Sequence, residues 1–303
     1  MMAAMNASIE PRLDRVQCLH SRGLHRMAYW EWGNPASKRV LVCVHGLLRQ
    51  GRDFDTLARA MQGEFRIVCP DVVGRGESDR LVDPSGYDFP GYVADMVTLL
   101  ARLDAESVAW VGTSMGGLIG MMLASLAGSP IERLVLNDIG PTIDAAGIAR
   151  IANYIGAPIT WASEDEAADY LLAISRGFGP HSRDQWLALT RPMLRRDGER
   201  YKLHYDPAIA VPMRAITSEA AALGQAAIWT AYDAIRCPTL LLRGADSDIL
   251  SSATAKAMSE RGPNARLHEF AGVGHAPTLL ASGQVDVVRE FLRGPASAAE
   301  GLA

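Results

Sequence analysis

The chain has 303 residues, of which 49% are hydrophobic, 21% charged and 7% aromatic. Such a composition belongs to a globular protein with a sizeable core and excludes disordered, collagen-like and coiled-coil chains. Thirty Lys and Arg against 34 Asp and Glu leave a formal charge of -4, so there is no basic excess for phosphate contacts and nucleic acid is not expected as a partner.

The opening sequence MMAAMNASIEPRLDRVQC lacks the apolar core of a signal peptide. No run approaches the ~18 consecutive apolar residues of a membrane span. A cytoplasmic, reducing setting away from membranes is therefore expected. The four cysteines, Cys18, Cys43, Cys69 and Cys237, show neither C-x-x-C pairing nor metal-ligand spacing. They are expected to be inert, and Cys43 and Cys69 sit in apolar runs where a cysteine acts as a small hydrophobe.

Continuous apolar runs at 40–44 and 65–69 predict the first two strands buried on both faces. Tyr92, Met96, Leu99, Leu100 and Leu103 then fall on one face of a helix. A strand over 108–111 leads into 115–127, which is apolar nearly all round and predicts a buried helix stopped by Gly128. Another strand follows at 131–136. From 140 to 236 the strand runs cease and an Ala-rich stretch with scattered aromatics predicts a helical insert. Strands resume at 239–242 and 266–270, and Val285, Val288, Phe291 and Leu292 mark a last amphipathic helix. Strands alternating with helices predict an α/β fold with right-handed crossovers. The ends, 1–11 and 295–303, are expected to be frayed tails.

The sharpest chemical signal is Gly112-Thr113-Ser114-Met115-Gly116, a G-x-S-x-G turn between a strand and a helix. A serine on such a turn projects its oxygen into open space, and glycines at either side relieve the strain of the backbone. The N–H of Met115 opens the helix, where negative charge is favoured, and is a candidate oxyanion donor. His275 lies in a loop between the last strand and the last helix, where it could accept the serine proton. The other histidines, among them His25 and His181, are read as strand or surface positions without a partner. The run 40–46 ends in His45-Gly46-Leu47, which predicts the backbone of Leu47 as a second oxyanion donor and His45 as a brace of the turn. The loop 71–78, with its Gly74-Arg75-Gly76, is expected to line the site rather than to bind a nucleotide.

The histidine needs a carboxylate, and two places can supply one. Asp138 follows one strand in LNDIGP, and Asp248 follows another in RGADSDIL. Both preserve the order serine, acid, histidine, and both remain open, with Asp246 as a third candidate.

Jointly, VHGLL (44–48), DVVGRGESD (71–79), GTSMGG (112–117), LNDIGP (136–141), RGADSDIL (243–250) and GVGHAP (272–277) resemble the α/β-hydrolase family over roughly residues 25–293. The resemblance implies a mostly parallel eight-stranded sheet with helices on both faces. Its core would span 12–139 and 237–294, and 140–236 would be a helical cap over the active site. Most members place the acid three residues after a glycine, and here that offset from Gly244 lands on Ser247, one residue before Asp248. A subset similar to short-chain acyl esterases instead carries its acid in a D-I-x-P segment, which Asp138 matches. Ser114 sets the chain apart from relatives with an aspartate nucleophile. The expected activity is therefore that of a serine esterase acting on a small ester, lactone or thioester, with no metal or organic cofactor implied. Cap aromatics Tyr154, Trp161, Trp186, Tyr205 and Trp229 are candidates for an apolar acyl pocket, one or two of them reaching it. A carbon–carbon bond hydrolase of aromatic degradation, disfavoured by the HGLLRQG stretch, and a non-catalytic ligand-binding member stay as alternatives. Whether the chain forms a homo-oligomer is left open.

Overall fold

The first two strands, β1 (Arg12–His20) and β2 (Gly23–Trp32), form an antiparallel hairpin. They are followed by β3 (Arg39–Val44), β4 (Arg66–Pro70), β5 (Ser107–Thr113) and β6 (Ile131–Asn137). Three short strands come next, β7 (Thr160–Trp161), β8 (Leu194–Asp197) and β9 (Arg200–Leu203), and then β10 (Thr239–Gly244) and β11 (Arg266–Phe270). This computed structural model describes residues 10–294. The tails expected at 1–11 and 295–303 lie outside the described residues apart from Glu10 and Pro11.

Eight strands make one sheet in the order β1-β2-β4-β3-β5-β6-β10-β11. Only β2 runs against its neighbours, β1 and β4, and the remaining pairs are parallel. The register explains the continuous apolar runs. Val40, Val42 and Val44 of β3 enter one core cluster while Leu41 and Cys43 enter the other. Both faces are dry, so neither set of alternate residues can be polar.

The helices that cover these faces are α1 (Asp55–Met61), α2 (Phe89–Leu103) and α3 (Met115–Ala124) before the insert. In α2 the Asp88 side chain accepts the N–H of Gly91 at 2.7 Å, and Tyr92, Met96, Leu99 and Leu103 are buried along one face. Helix α3 is buried at every position but Met122, which is why its sequence is apolar all round.

Between β6 and β10 come α4 (Ala145–Ala152), α5 (Glu164–Ile174), α6 (Arg183–Thr190), α7 (Ala210–Ala215) and α8 (Ser218–Ala234). The segment is not purely helical as expected, because β7, β9 and β8 form a small antiparallel sheet. β8 and β9 are four residues long and rich in charged side chains, and β7 is only Thr160 and Trp161. β8 is mostly exposed, β9 mostly half-buried and β7 only two residues long, so no apolar run announces them. The insert has its own small core of Ala168, Leu171, Trp186, Leu189 and Met193. After β10, α9 (Ser252–Glu260) and α10 (Ser282–Arg293) complete the sheet's covering. Among the described residues no helix is long and apolar enough to cross a membrane.

Candidate active site

Strand β5 ends at Thr113 and α3 begins at Met115, leaving Ser114 alone on the turn at φ 52° and ψ −116°. A residue with a side chain is strained at such a φ, and the surroundings must hold it there. They do so by close packing. A Cβ on Gly112 would collide with the Gly116 carbonyl, and one on Gly116 with the carbonyl of Val44. The two glycines of the motif are required by backbone approaching backbone.

Two loops from distant parts of the chain meet this serine. His275 Nε2 lies 3.0 Å from Ser114 Oγ, and its Nδ1 lies 2.8 Å from Asp138 Oδ2. With the proton on Nδ1, the ring donates to Asp138 and accepts from the Ser114 hydroxyl. Asp138 is fully buried in the bend after β6 at φ 55°. Its Oδ1 accepts the Gly244 N–H at 2.8 Å, and its Oδ2 accepts the Ser247 hydroxyl at 2.6 Å. Asn137 ties the parts together, since its amide donates to Thr113 Oγ1 and to the Pro277 carbonyl.

Asp248, the alternative acid, is not brought to the histidine. Arg150 of α4 takes both of its oxygens, Nε at 2.6 Å and Nη2 at 2.9 Å. That hydrogen bonding holds the Asp248 carboxyl below the usual carboxylate range. Its side chain is 38% exposed while that of Asp138 is 0% exposed. Asp246 is exposed in the same loop. The reason is one of register. Ser247 stands one residue before Asp248 and points at Asp138, which turns Asp248 outward toward the insert.

The two expected oxyanion donors are aimed by their own peptide planes. The Gly46 carbonyl accepts from His45 Nδ1 at 2.7 Å and from the Arg49 N–H at 3.1 Å. In a trans peptide the following N–H, that of Leu47, points the other way. The Ser114 carbonyl likewise accepts from Gly117 and Leu118 inside α3, which turns the Met115 N–H outward. Neither Leu47 nor Met115 gives its N–H to a partner among the described residues. His45 is fully buried, and its Nε2 accepts the Val72 N–H at 2.9 Å. Burial pushes its pKa down to about 3, so the ring stays neutral and keeps both bonds.

The loop 71–78 does not line the cavity at Ser114, contrary to expectation. It braces the turn from behind. Arg75 is fully buried and donates to the carbonyls of Leu47 at 2.9 Å and Val73 at 2.7 Å. His25, expected to stand without a partner, is buried against Asp95 at 2.9 Å, and His181 meets Thr278 at 2.8 Å. Cys18, His25 and Asp95 place their potential ligand atoms within 4.8 Å of one another. Burial pushes the Cys18 thiol up to about 12, so it is held protonated rather than as the thiolate a metal needs.

A family model for the alpha/beta hydrolase fold matches residues 39–281. The chain belongs to the α/β-hydrolase fold family. It is 50% identical over 291 residues to a 3-hydroxybutyrate-oligomer hydrolase of Cupriavidus necator, covering 95% of this chain and 99% of the relative. It is 26% identical over 251 residues to the esterase YbfF of Escherichia coli, covering 80% of this chain and 88% of that one. A solved α/β hydrolase from Novosphingobium aromaticivorans shares 32% identity and superposes with a TM-score of 0.83, covering 93% of this chain and 98% of that one.

In this hydrolase Ser114 and His275 open onto a narrow cavity of about 100 Å³. It is walled mainly by Leu48, Tyr154, Leu171, Ile174, Phe178 and Met193. Of the five insert aromatics expected there, only Tyr154 reaches it. Trp161 and Trp186 are buried away from it, Tyr205 is buried where the insert meets the main core, and Trp229 binds Thr142 through its ring N–H at 3.0 Å. Sequence reasoning missed Phe178, Arg49 and Arg150 as lining residues, since nothing in their spacing marks them. It also passed over Ser247 as a partner of the acid, although the Gly244 offset had pointed to that position.

Proposed function

We propose that this hydrolase cleaves a small carboxylic ester through an acyl-enzyme, with Ser114 as nucleophile, His275 as general base and Asp138 as the acid of the triad. The single observation that carries the reading is the unbroken line of hydrogen bonds from Asp138 through His275 to Ser114. In the reaction His275 takes the Ser114 proton as Oγ attacks the carbonyl carbon, and the N–H groups of Leu47 and Met115 receive the developing oxyanion. His275 then gives its proton to the leaving alcohol. Water enters, loses a proton to the same ring, and releases the acid. Asp138 keeps the ring in the productive tautomer and stabilises the imidazolium. Its own charge is held by Gly244 and Ser247. The insert over the cavity acts as a cap that limits the length of the acyl group.

The 50% identity to a 3-hydroxybutyrate-oligomer hydrolase supports a short hydroxyacid ester as substrate. The small cavity agrees, being well under the ~300–1,000 Å³ common for larger ligands. The test is hydrolysis of p-nitrophenyl butyrate and of the linear dimer of 3-hydroxybutyrate by the wild type and Ser114→Ala. The variant should lose about 10⁵–10⁶ in kcat. Undiminished turnover would remove Ser114 from the mechanism, and a wild type that a fluorophosphonate fails to label would return the chain to the non-catalytic class.

A further inference from the structure

The cavity at Ser114 is lined mostly by apolar side chains, with a few hydroxyls, His275 and two arginines of like charge. Arg49 and Arg150 line it, and no Asp or Glu does. Their carboxylate partners, Asp53 and Asp248, stand behind them, outside the lining. Each aspartate takes the same edge of its arginine, the Nε and Nη2 groups. Asp53 binds Arg49 at 2.6 and 2.7 Å, and Asp248 binds Arg150 at 2.6 and 2.9 Å. A guanidinium has five N–H donors, so the other edge of each remains. In Arg49 the Nη1 group is turned to the thioether of Met193. In Arg150 the bridge to Asp248 uses Nε and Nη2 and leaves Nη1 outside it.

Both arginines line the same cavity as Ser114 and His275. The place a Cβ on Gly46 would occupy is 3.6 Å from Ser114 Cβ and 3.8 Å from Arg49 Cγ, so the Arg49 stem flanks the serine. Arg150 reaches the same cavity from α4, sharing its lining with His275. Tyr154, four residues after Arg150, brings a hydroxyl beside the same guanidinium.

We infer that Arg150, with Tyr154 beside it, is the specificity site for a carboxylate carried by the substrate, as at the acid end of a short hydroxyacid oligomer. This rests on the ester-hydrolase reading above and deepens it. An apolar wall lined by two cations is a poor place for a neutral alkyl ester and a favourable one for an ester with an anionic end. A guanidinium already locked by a bidentate partner loses little further freedom on binding a second carboxylate, so its donors are pre-organised. Arg49 adds a second positive charge to the same lining, in surroundings that screen it less than water.

The experiment compares the linear 3-hydroxybutyrate dimer with the same dimer ending in a carboxamide, so that the scissile ester is unchanged and only the charge is removed. The readout is the acid-to-amide ratio of kcat/KM within each protein, which cancels any general loss from altered packing. The wild type should prefer the acid by roughly tenfold to a hundredfold, carried mainly by KM. Arg150→Gln should bring the ratio to about one, and Tyr154→Phe should lower it by a few fold. Asp248→Asn loosens the guanidinium but leaves its charge, so it should keep a preference for the acid, reduced by no more than a few fold. A wild type that hydrolyses p-nitrophenyl butyrate yet treats acid and amide alike would overturn the inference alone. So would an Arg150→Gln protein that keeps the preference, or an Asp248→Asn protein that loses it as fully as Arg150→Gln. A wild type inactive on every ester would overturn the ester reading and this inference with it.

Discussion

The bend after β6 and the loop after β10 lie side by side at the C-terminal ends of adjacent parallel strands, and each carries an aspartate. They have opposite environments. Asp138 is buried, held by the Gly244 N–H and the Ser247 hydroxyl, and faces His275. Asp248 is partly exposed and spends both oxygens on Arg150. The two cooperate, because the last residue of β10 and the loop after it supply the Gly244 and Ser247 donors that hold the carboxylate of the first. Ser247, at the three-residue offset from Gly244, gives its hydroxyl to Asp138. A carboxylate becomes useful to an imidazole when its remaining lone pairs are satisfied and water is kept away, and only one of these two sites offers that.

The contrast is broken most severely by Asp138→Asn. The amide cannot hold His275 in the right tautomer, and kcat on p-nitrophenyl butyrate should fall by about 10³–10⁴. Equal activity of the variant and the wild type would remove Asp138 from the triad. Moving the carboxylate sharpens the point. In Asp138→Asn with Ser247→Asp, an acid arises on the second loop within reach of the same ring, and steady-state rates should recover at least about tenfold over the single variant. No recovery would mean that the loop after β10 cannot present an acid to His275 at all.

Ser247→Ala tests support rather than replacement. Losing one hydrogen bond to a buried carboxylate costs about 1.5–3 kcal/mol, so kcat should drop roughly ten- to hundredfold. The pH–rate profile should shift with it, which a purely structural role would not produce. The smallest effect belongs to Asp248→Asn, which should change kcat on the same neutral ester by less than about threefold. Its ion pair with Arg150 is more than a third exposed and is screened, so its stabilising contribution is about 0.5–1 kcal/mol at most. The folded state holds the Asp248 carboxyl below its ordinary value. That contribution is therefore present at neutral pH and lost as pH falls through the folded-state value. Urea midpoints of wild type and Asp248→Asn should differ slightly at pH 7 and converge in acid. A gap that widens in acid would contradict the assignment of the pair.

Much of this was legible in the chain. The runs at 40–44 and 108–111 read as strands because both faces of the sheet are dry, and the structure places β3 and β5 over them. The turn at Ser114 was legible because backbone contact permits only glycine at 112 and 116. The short strands of the insert were not, since β8 and β9 are four residues each, rich in charge and never fully buried, and leave no periodic signal. Nor were the arginines of the cavity. Arg49 and Arg150 are 101 positions apart in the chain, and nothing local distinguishes them from the other arginines.

What the amino-acid sequence determined by itself was the α/β alternation, the strained serine turn and the loop that carries the histidine. Each follows from steric or solvation rules acting over a few neighbouring residues. Which carboxylate meets that histidine was decided only by tertiary structure. LNDIGP and RGADSDIL offer equivalent acids to any local rule. The choice between them depends on which loop's N–H and hydroxyl groups converge on the other's carboxylate, and that convergence exists only once β6 and β10 are paired.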